Sequence, residues 1–99
     1  MRALSASSLQ PVSATIAIVN KRGLHARASA KFVQTVERYE ATVTVSKDGM
    51  SVGGTSIMGL MMLAASPGCS IRVEAEGPEA KKVVAAIEEL VSCRFGEEC

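Results

Sequence analysis

The only histidine of the chain, His25, lies where a glycine-containing turn meets a run of residues with helical spacing, Gly23-Leu24-His25-Ala26-Arg27. A helix N-terminus carries a partial positive charge and free amide groups, so it disfavours a second positive charge on an imidazole and favours a bound anion. Such a position suits a neutral, nucleophilic ring whose phosphorylated form would be held by first-turn amides and by Arg27. A helix N-cap on a surface loop is the alternative that these residues leave open.

Positive charge is concentrated around this histidine. Residues 1–36 contain five cations and no carboxylate, and all ten carboxylates follow Val36. Four of the five cations flank His25, namely Lys21, Arg22, Arg27 and Lys31. This distribution predicts an anionic partner or substrate, with a solvated basic face as the alternative. One tyrosine, two phenylalanines and no tryptophan offer little surface for stacking bases, so we expect no nucleic-acid partner.

A second group of candidate residues begins at Ser56, whose type suits the N-cap of a helix. The apolar, flexible side chains that follow are Ile57, Met58, Leu60, Met61, Met62 and Leu63. A helix of two turns does not need so many for its own burial, so we expect some of them to form an exposed docking patch. Burial of the whole group in the core is the competing interpretation.

The elements that must position these residues follow from the periodicity of the apolar positions. Alternation predicts strands over residues 12–20, 41–46, 50–52 and 69–76, and helical spacing predicts helices over 26–38, 57–63 and 78–92. Asp48-Gly49 predicts a hairpin turn, and Pro78 suits the first position of the last helix. Because every strand has one polar face, we expect an α+β (α/β) fold with a mixed or antiparallel sheet and helices on one face.

The size of the chain limits the kinds of function it can support. Its 99 residues predict one domain over residues 12–99 after a flexible tail from Met1 to about Pro11. A domain of this size has no room for a large enclosed cavity, which favours carriers and binding modules over stand-alone enzymes. The longest apolar stretch, residues 57–65, is interrupted by Gly59 and is shorter than the ~18 residues that span a bilayer, so we expect no membrane insertion.

The cysteines argue against a disulfide framework or a metal site. Cys69, Cys93 and Cys99 are odd in number and lack metal-ligand spacing, so we expect reduced thiols, a cytoplasmic location, and no metal or cofactor. The strand pattern predicts that Cys69 belongs to the core.

Two motifs together resemble a known family. Gly23-Leu24-His25-Ala26-Arg27 resembles the phosphorylation-site motif of HPr, the histidine phosphocarrier of the bacterial phosphotransferase system. The segment Ser56-Ile57-Met58-Gly59-Leu60-Met61 resembles the second signature of that family, and the element order agrees over about residues 12–92. The resemblance implies an open-faced β-sandwich, with a four-stranded antiparallel sheet and three helices on one face in the order β-α-β-β-α-β-α.

The resemblance also implies roles for particular residues. His25 would be phosphorylated at Nδ1 by enzyme I, itself charged from phosphoenolpyruvate, and would pass the group to EIIA-type acceptors, with Arg27 stabilising the phosphoryl group. Ser56 would be the target of an HPr kinase/phosphorylase, and its phosphate would weaken partner binding at the apolar patch. The candidate partner-contacting residues are Leu24, Arg27, Ile57, Met58, Leu60 and Met61.

One position departs from the common family pattern. Ala28 stands where many sugar-transport HPr proteins have proline, which resembles the nitrogen-related branch and leaves the downstream partner open. Alanine supplies an amide donor and favours helix, so we expect the first turn to form.

The carrier hypothesis has one main competitor, a regulatory binding module of the same fold that controls a transporter or a transcription factor. An enzyme that uses His25 as a general base is a weaker hypothesis, because no third group that would orient the base is evident. We expect a monomer, since the docking patch must remain available to partners.

Overall fold

The computed structural model describes residues 11–63 and 65–96. The helices and strands there are β1 (Val12–Ala17), α1 (Ala26–Val36), β2 (Thr42–Lys47), β3 (Met50–Gly53), α2 (Ile57–Met62), β4 (Ser70–Glu76) and α3 (Ala80–Ser92). This is the predicted order. The predicted tail lies outside the described residues except for Pro11, and so does Cys99.

All four strands join one antiparallel sheet in the order β1-β4-β2-β3. Strand β4 is central, so that Val73 lies opposite Ala14 on β1 and Val45 on β2. The β2–β3 connection is the predicted two-residue turn, with φ of +52° at Asp48 and +83° at Gly49. Positive φ at both positions matches the twist of a tight hairpin, which explains the Asp-Gly pair.

The helices pack on one face of the sheet and leave the other face to solvent. Helix α3 contacts β1 and β4, α2 contacts β3, and α1 packs against both α2 and α3. The largest fully buried apolar side chains are Phe32, Phe95, Ile18, Leu60, Ile71, Ile87, Val36, Val45, Val73, Val83 and Val91. The core therefore lies between the sheet and the helical stripes that the periodicity predicted.

Strand β1 and helix α1 end earlier than predicted, and α2 ends one residue earlier, at Met62. Strand β1 was expected to reach Asn20 but ends at Ala17, which lies opposite Ser70, the first residue of β4. Beyond the ladder, Ile18 exchanges backbone hydrogen bonds with Cys69 and Gly68 in the turn before β4. Helix α1 ends at Val36, two residues before the predicted end.

The start of α3 differs from the prediction for a specific reason. Pro78 was expected at the first helical position, but the helix begins at Ala80. The Glu79 carboxylate does not cap this helix; its Oε1 accepts from the Glu40 amide at 2.7 Å, and the Glu79 amide donates to the Glu40 carbonyl at 3.0 Å. This pair of bonds fixes α3 to the loop that leads into β2 and takes the Glu79 side chain away from the helix end.

The position of Cys69 differs from the prediction. Cys69, expected in the core of a strand, precedes β4 and is only half-buried, because the ladder starts at Ser70.

After α3 the chain makes a left-handed turn at Arg94–Gly96, with φ of +59° at Arg94 and +55° at Phe95. This turn returns Phe95 to the core, where its side chain is fully buried.

Candidate functional site

His25 is the N-cap residue of α1. Its backbone is extended, with φ −77° and ψ −176°, and its carbonyl accepts the first intrahelical bond from the Ser29 amide at 2.8 Å. The ring nitrogen Nδ1 accepts a hydrogen bond from the Arg27 amide at 3.2 Å. His25 is half-buried, and because its side chain caps α1, Nδ1 lies at the positive end of the helix dipole beside the first-turn amides.

The loop before His25 is held by contacts that the motif alone does not reveal. The Asn20 side-chain amide donates to the Gly23 carbonyl at 2.9 Å, and the Leu24 amide donates to the Ala65 carbonyl at 3.0 Å. Gly23 has φ +65°, and a Cβ at this position would overlap the Ala65 carbonyl oxygen. Glycine is therefore required both for backbone conformation and for close approach.

Sequence reasoning missed Asn20 and Ala65 as positioning residues. Asn20 is fully buried at the end of an otherwise apolar alternating run, and this interruption was the available signal. Ser29 is also fully buried, and its hydroxyl donates to the Leu24 carbonyl at 3.3 Å. The polar contacts of these residues connect the turn before His25 to α1 and to the segment after α2.

The basic residues around His25 are not equivalent. Lys21, Arg22 and Arg27 are exposed, and they give this end of the molecule its positive charge. The Lys31 ammonium instead donates to the Phe95 carbonyl at 2.6 Å, which attaches α1 to the turn after α3. Lys31 is therefore a structural contact, and the basic flank consists of the other three residues.

The first turn of α1 forms with alanine at position 28, where the common family pattern has proline. Helix α1 begins at Ala26, and Ala28 is fully buried within it. The expectation that alanine supports this turn is confirmed.

Ser56 caps α2 as predicted from its residue type. Its backbone is extended, and its hydroxyl oxygen accepts from the Gly59 amide at 2.9 Å. The side chain is exposed, so the hydroxyl that caps the helix is also accessible from solvent.

The apolar residues after Ser56 divide between surface and core. We name the exposed set, Ile57, Met58, Met61 and Met62, the methionine patch; Met58 is 74% exposed and Met62 65%. Leu60 and Leu63 are buried. Leu24 and Leu60, two of the predicted partner-contacting residues, are core residues with 5% and 0% exposure. Each packs its segment against the core.

Cys69 lies in a polar setting at the end of the sheet. Its Sγ lies 3.4 Å from the Ser66 hydroxyl. Hydrogen bonding with the hydroxyl and the backbone of Ser66 lowers the pKa of the Cys69 thiol below its ordinary value, and Lys47 acts in the same direction. Cys93 is exposed on the surface after α3.

Metal-ligating side chains do not converge among residues 11–63 and 65–96: no group of three or more His, Cys, Asp or Glu residues is placed to hold an ion. No helix in the same part of the chain has the length and apolar character needed to cross a membrane.

Comparison with known proteins identifies the family. The model of the family described as PTS HPr component phosphorylation site matches residues 12–92. A phosphocarrier protein HPr of Neisseria meningitidis serogroup A is 47% identical over 83 residues, which cover 84% of this chain and 93% of that protein. The chain belongs to the HPr family. The HPr of Pseudomonas aeruginosa is 46% identical over 83 residues, covering 83% of this chain and 92% of the relative.

Solved HPr structures share the fold as well as the sequence. A crystal structure of HPr from Thermoanaerobacter tengcongensis has a TM-score of 0.84 and 41% identity, covering 89% of this chain and 99% of that one. HPr from Bacillus anthracis has a TM-score of 0.78 and 37% identity, covering 82% and 96%. The four-stranded antiparallel sheet with three helices is therefore an HPr fold.

Membership of the HPr family indicates the general function of this chain. The chain is an HPr phosphocarrier of the phosphotransferase system, in a family defined by a histidine phosphorylation site. The relatives named above are called HPr, and they give no specific support for the nitrogen-related branch.

Proposed function

We propose that His25 is the phosphoryl acceptor and that Nδ1 is the reacting atom. The observation that carries the proposal is the position of Nδ1 at the N-terminus of α1, 3.2 Å from the Arg27 amide. A ring nitrogen that accepts a hydrogen bond carries no proton, so a neutral His25 bears its proton on Nε2 and keeps a lone pair at Nδ1.

That lone pair is the nucleophile. As the Nδ1–P bond forms, the bond between phosphorus and the donor breaks, and its electron pair stays with the donor. The Nδ1 lone pair then lies in the new bond, and the Arg27 amide is freed to donate to a phosphoryl oxygen. The first intrahelical hydrogen bond runs from the Ser29 amide to the His25 carbonyl, so the amides before Ser29 have no acceptor within the helix. These amides face the N-terminal end of α1, where they can donate to the phosphoryl oxygens of the product.

Arg27 stabilises the transferred group. Its side chain is exposed and follows His25 by two residues, so the guanidinium is available to phosphoryl oxygens. A charged hydrogen bond contributes about 1.5–3 kcal/mol, and a helix end about 0.3–1 kcal/mol. Contributions of this size suit a carrier, because stronger binding of the phosphoryl group would oppose its release to the next protein.

The proposed partners are enzyme I as donor and EIIA-type proteins as acceptors, in the cytoplasm. The methionine patch, together with exposed Arg27, forms the proposed contact surface, since flexible apolar side chains adapt to more than one partner. A monomer keeps that surface available. Leu24 and Leu60 act indirectly, by supporting the exposed residues from the core.

Ser56 is the proposed regulatory site for an HPr kinase/phosphorylase. Its hydroxyl is exposed and directly precedes the methionine patch. A phosphate there would add about two negative charges beside an apolar contact surface, and the cost of desolvating them opposes docking.

The exposure of the methionine patch also favours a second candidate function, regulatory binding to a transporter or a transcription factor. The two functions share a surface, and they differ in whether His25 must carry phosphate between proteins.

The deciding experiment is phosphorylation in vitro. The full chain is incubated with phosphoenolpyruvate, magnesium and a species-matched, demonstrably active enzyme I, and the acid-labile phosphate is mapped by mass spectrometry. We expect one label on His25 and none on the His25→Ala variant. An active enzyme I that leaves His25 unmodified would overturn the carrier function and leave the regulatory binding module.

Arg27→Gln tests the stabilising role in the same assay. The loss of a charged hydrogen bond of 1.5–3 kcal/mol predicts transfer about 10- to 150-fold slower. Arg22→Gln is the matched control, because Arg22 is an exposed arginine of the same basic flank that is not in the first turn of α1. Equal rates for both variants would show that Arg27 contributes only general positive charge.

A further inference from the structure

The solvent face of the sheet, opposite the helices, carries an open groove of about 390 Å³. Hydroxyl side chains and one guanidinium line it, those of Thr15, Ser46, Ser51, Ser70 and Arg72. Ile71 and the tip of the β2–β3 hairpin, Lys47 to Gly49, complete the lining. His25 is on the helical side of the molecule, so this groove is separate from the phosphorylation site.

The sheet register places four of these residues in one row. Thr15 on β1 lies opposite Arg72 on β4, Arg72 lies opposite Ser46 on β2, and Ser46 lies opposite Ser51 on β3. Residues directly opposite each other on one face have Cβ atoms about 4.5–5.5 Å apart. Hydroxyl residues of both neighbouring strands therefore flank Arg72, and Ser70 lies two residues before it on the same face.

The charges on this face favour an anion at Arg72. Arg72 is exposed and has no ion pair within the part of the chain that the structure describes. Lys47 Nζ contacts Asp48 Oδ2 at 2.8 Å, so the hairpin tip contributes a neutralised pair. The carboxylates on the face, Glu74 and Glu76, lie beyond Arg72 along β4 and do not line the groove.

We propose that this groove binds a small phosphate monoester that carries additional hydroxyl groups. The planar guanidinium of Arg72 matches two phosphate oxygens, and hydroxyls both donate and accept hydrogen bonds, which suits a hydroxylated ligand. The groove has the size of a small-molecule site. Because it is open and has one unneutralised cation, we expect weak binding, with Kd on the order of 1 mM.

The test is a titration of the ¹⁵N-labelled full chain with glycerol 3-phosphate, followed by amide chemical shifts. We expect saturable shifts at Thr15, Ser46, Ser70 and Arg72. Arg72→Gln should weaken binding at this face at least tenfold, with Arg72→Lys intermediate because it keeps the charge but loses the bidentate geometry. Glu74→Gln should strengthen binding several-fold, because it removes the carboxylate two residues from Arg72 on the same face of β4.

Two controls separate this site from other phosphate binding. Arg38→Gln removes an exposed arginine on the helical side and should leave the affinity unchanged. Arg27→Gln should weaken any binding around His25 without altering the shifts at Arg72. Shifts confined to His25, insensitivity to Arg72→Gln, or equal affinity for glycerol would each overturn the proposal.

Discussion

At the scale of single residues, one set of residues in the site is suited to phosphoryl chemistry, and a second set positions the first. His25 and Arg27 have polar atoms at the surface, where a donor protein could reach them. Asn20, Gly23 and Ser29 are buried, and they act through the backbone of the loop. Substitutions in the second set therefore change the position of His25 and leave its chemistry intact.

A prediction at the residue scale concerns Cys69. Because the hydrogen bonds from Ser66 lower the pKa of its thiol, the thiolate forms at lower pH than in an isolated cysteine. The rate of alkylation by iodoacetamide should therefore rise through a midpoint below the ordinary cysteine value. Ser66→Ala should move that midpoint to higher pH.

Peptide mapping by mass spectrometry separates Cys69 from the other two cysteines, which serve as internal references in the same samples. An unchanged midpoint in Ser66→Ala would show that the hydroxyl does not stabilise the thiolate.

At the scale of elements, both candidate phosphorylation atoms are helix caps. Nδ1 of His25 accepts an amide hydrogen bond at the start of α1, and Oγ of Ser56 does the same at the start of α2. A phosphate on either residue replaces a neutral cap with an anion at the positive end of a helix. Phosphorylation is therefore expected to be compatible with the fold, and its effects should appear in partner binding.

Ser56 variants test this separation of stability from binding. Ser56→Ala removes the cap and should cost about 1 kcal/mol, whereas Ser56→Asp can still accept the Gly59 amide and should stay near wild-type stability. In transfer from enzyme I the order should reverse, with Ser56→Asp slower by roughly tenfold because of the charge beside the methionine patch. Thermal unfolding and the transfer assay measure the two effects, and a normal rate for Ser56→Asp would refute the inhibitory role.

Substitution of Gly23 tests whether the geometry of the loop before His25 affects phosphoryl transfer. Gly23→Ala introduces a Cβ at φ +65° that overlaps the Ala65 carbonyl, so it should cost more than the 1–2 kcal/mol of left-handed strain alone. It should also slow transfer to His25, because the loop must move. Gly49→Ala is the matched control, since Gly49 has φ +83° but nothing within 4 Å of an added Cβ.

Urea unfolding and the enzyme I assay apply to both glycine variants. We expect Gly49→Ala to lose about 1–2 kcal/mol and to accept phosphate normally. Equal transfer rates for the two variants would mean that close packing of Gly23 does not position the site.

At the scale of the whole molecule, one small core supports both the phosphorylation site and the methionine patch. Helix α1 packs against α2 and α3, and Phe32 is fully buried. Phe32→Ala should cost about 3–5 kcal/mol, a large part of the 5–15 kcal/mol typical of a domain. Gln34→Ala, an exposed position on the same helix, should change stability by less than about 0.5 kcal/mol, and urea unfolding checks both. A similar small change for Phe32→Ala would contradict the central place of Phe32 in the core.

The amino-acid sequence by itself determined the element order, the helix starts after His25 and Ser56, the Asp48-Gly49 hairpin and the candidate site residues. These features depend on local signals: side-chain periodicity, capping residue types, turn propensity and short motifs. The four-stranded antiparallel sheet and the HPr fold came from the resemblance, which the structure and the relatives confirm, whereas the strand order β1-β4-β2-β3 was decided by the tertiary structure.

Only the tertiary structure decided which apolar residues face solvent and which polar residues bind across the chain. Leu24 and Leu60 are buried, Lys31 binds the Phe95 carbonyl, Glu79 binds Glu40, and Cys69 is outside the core. Each of these outcomes depends on contact between segments distant in sequence, because a residue's local pattern does not specify which distant backbone group will lie beside it.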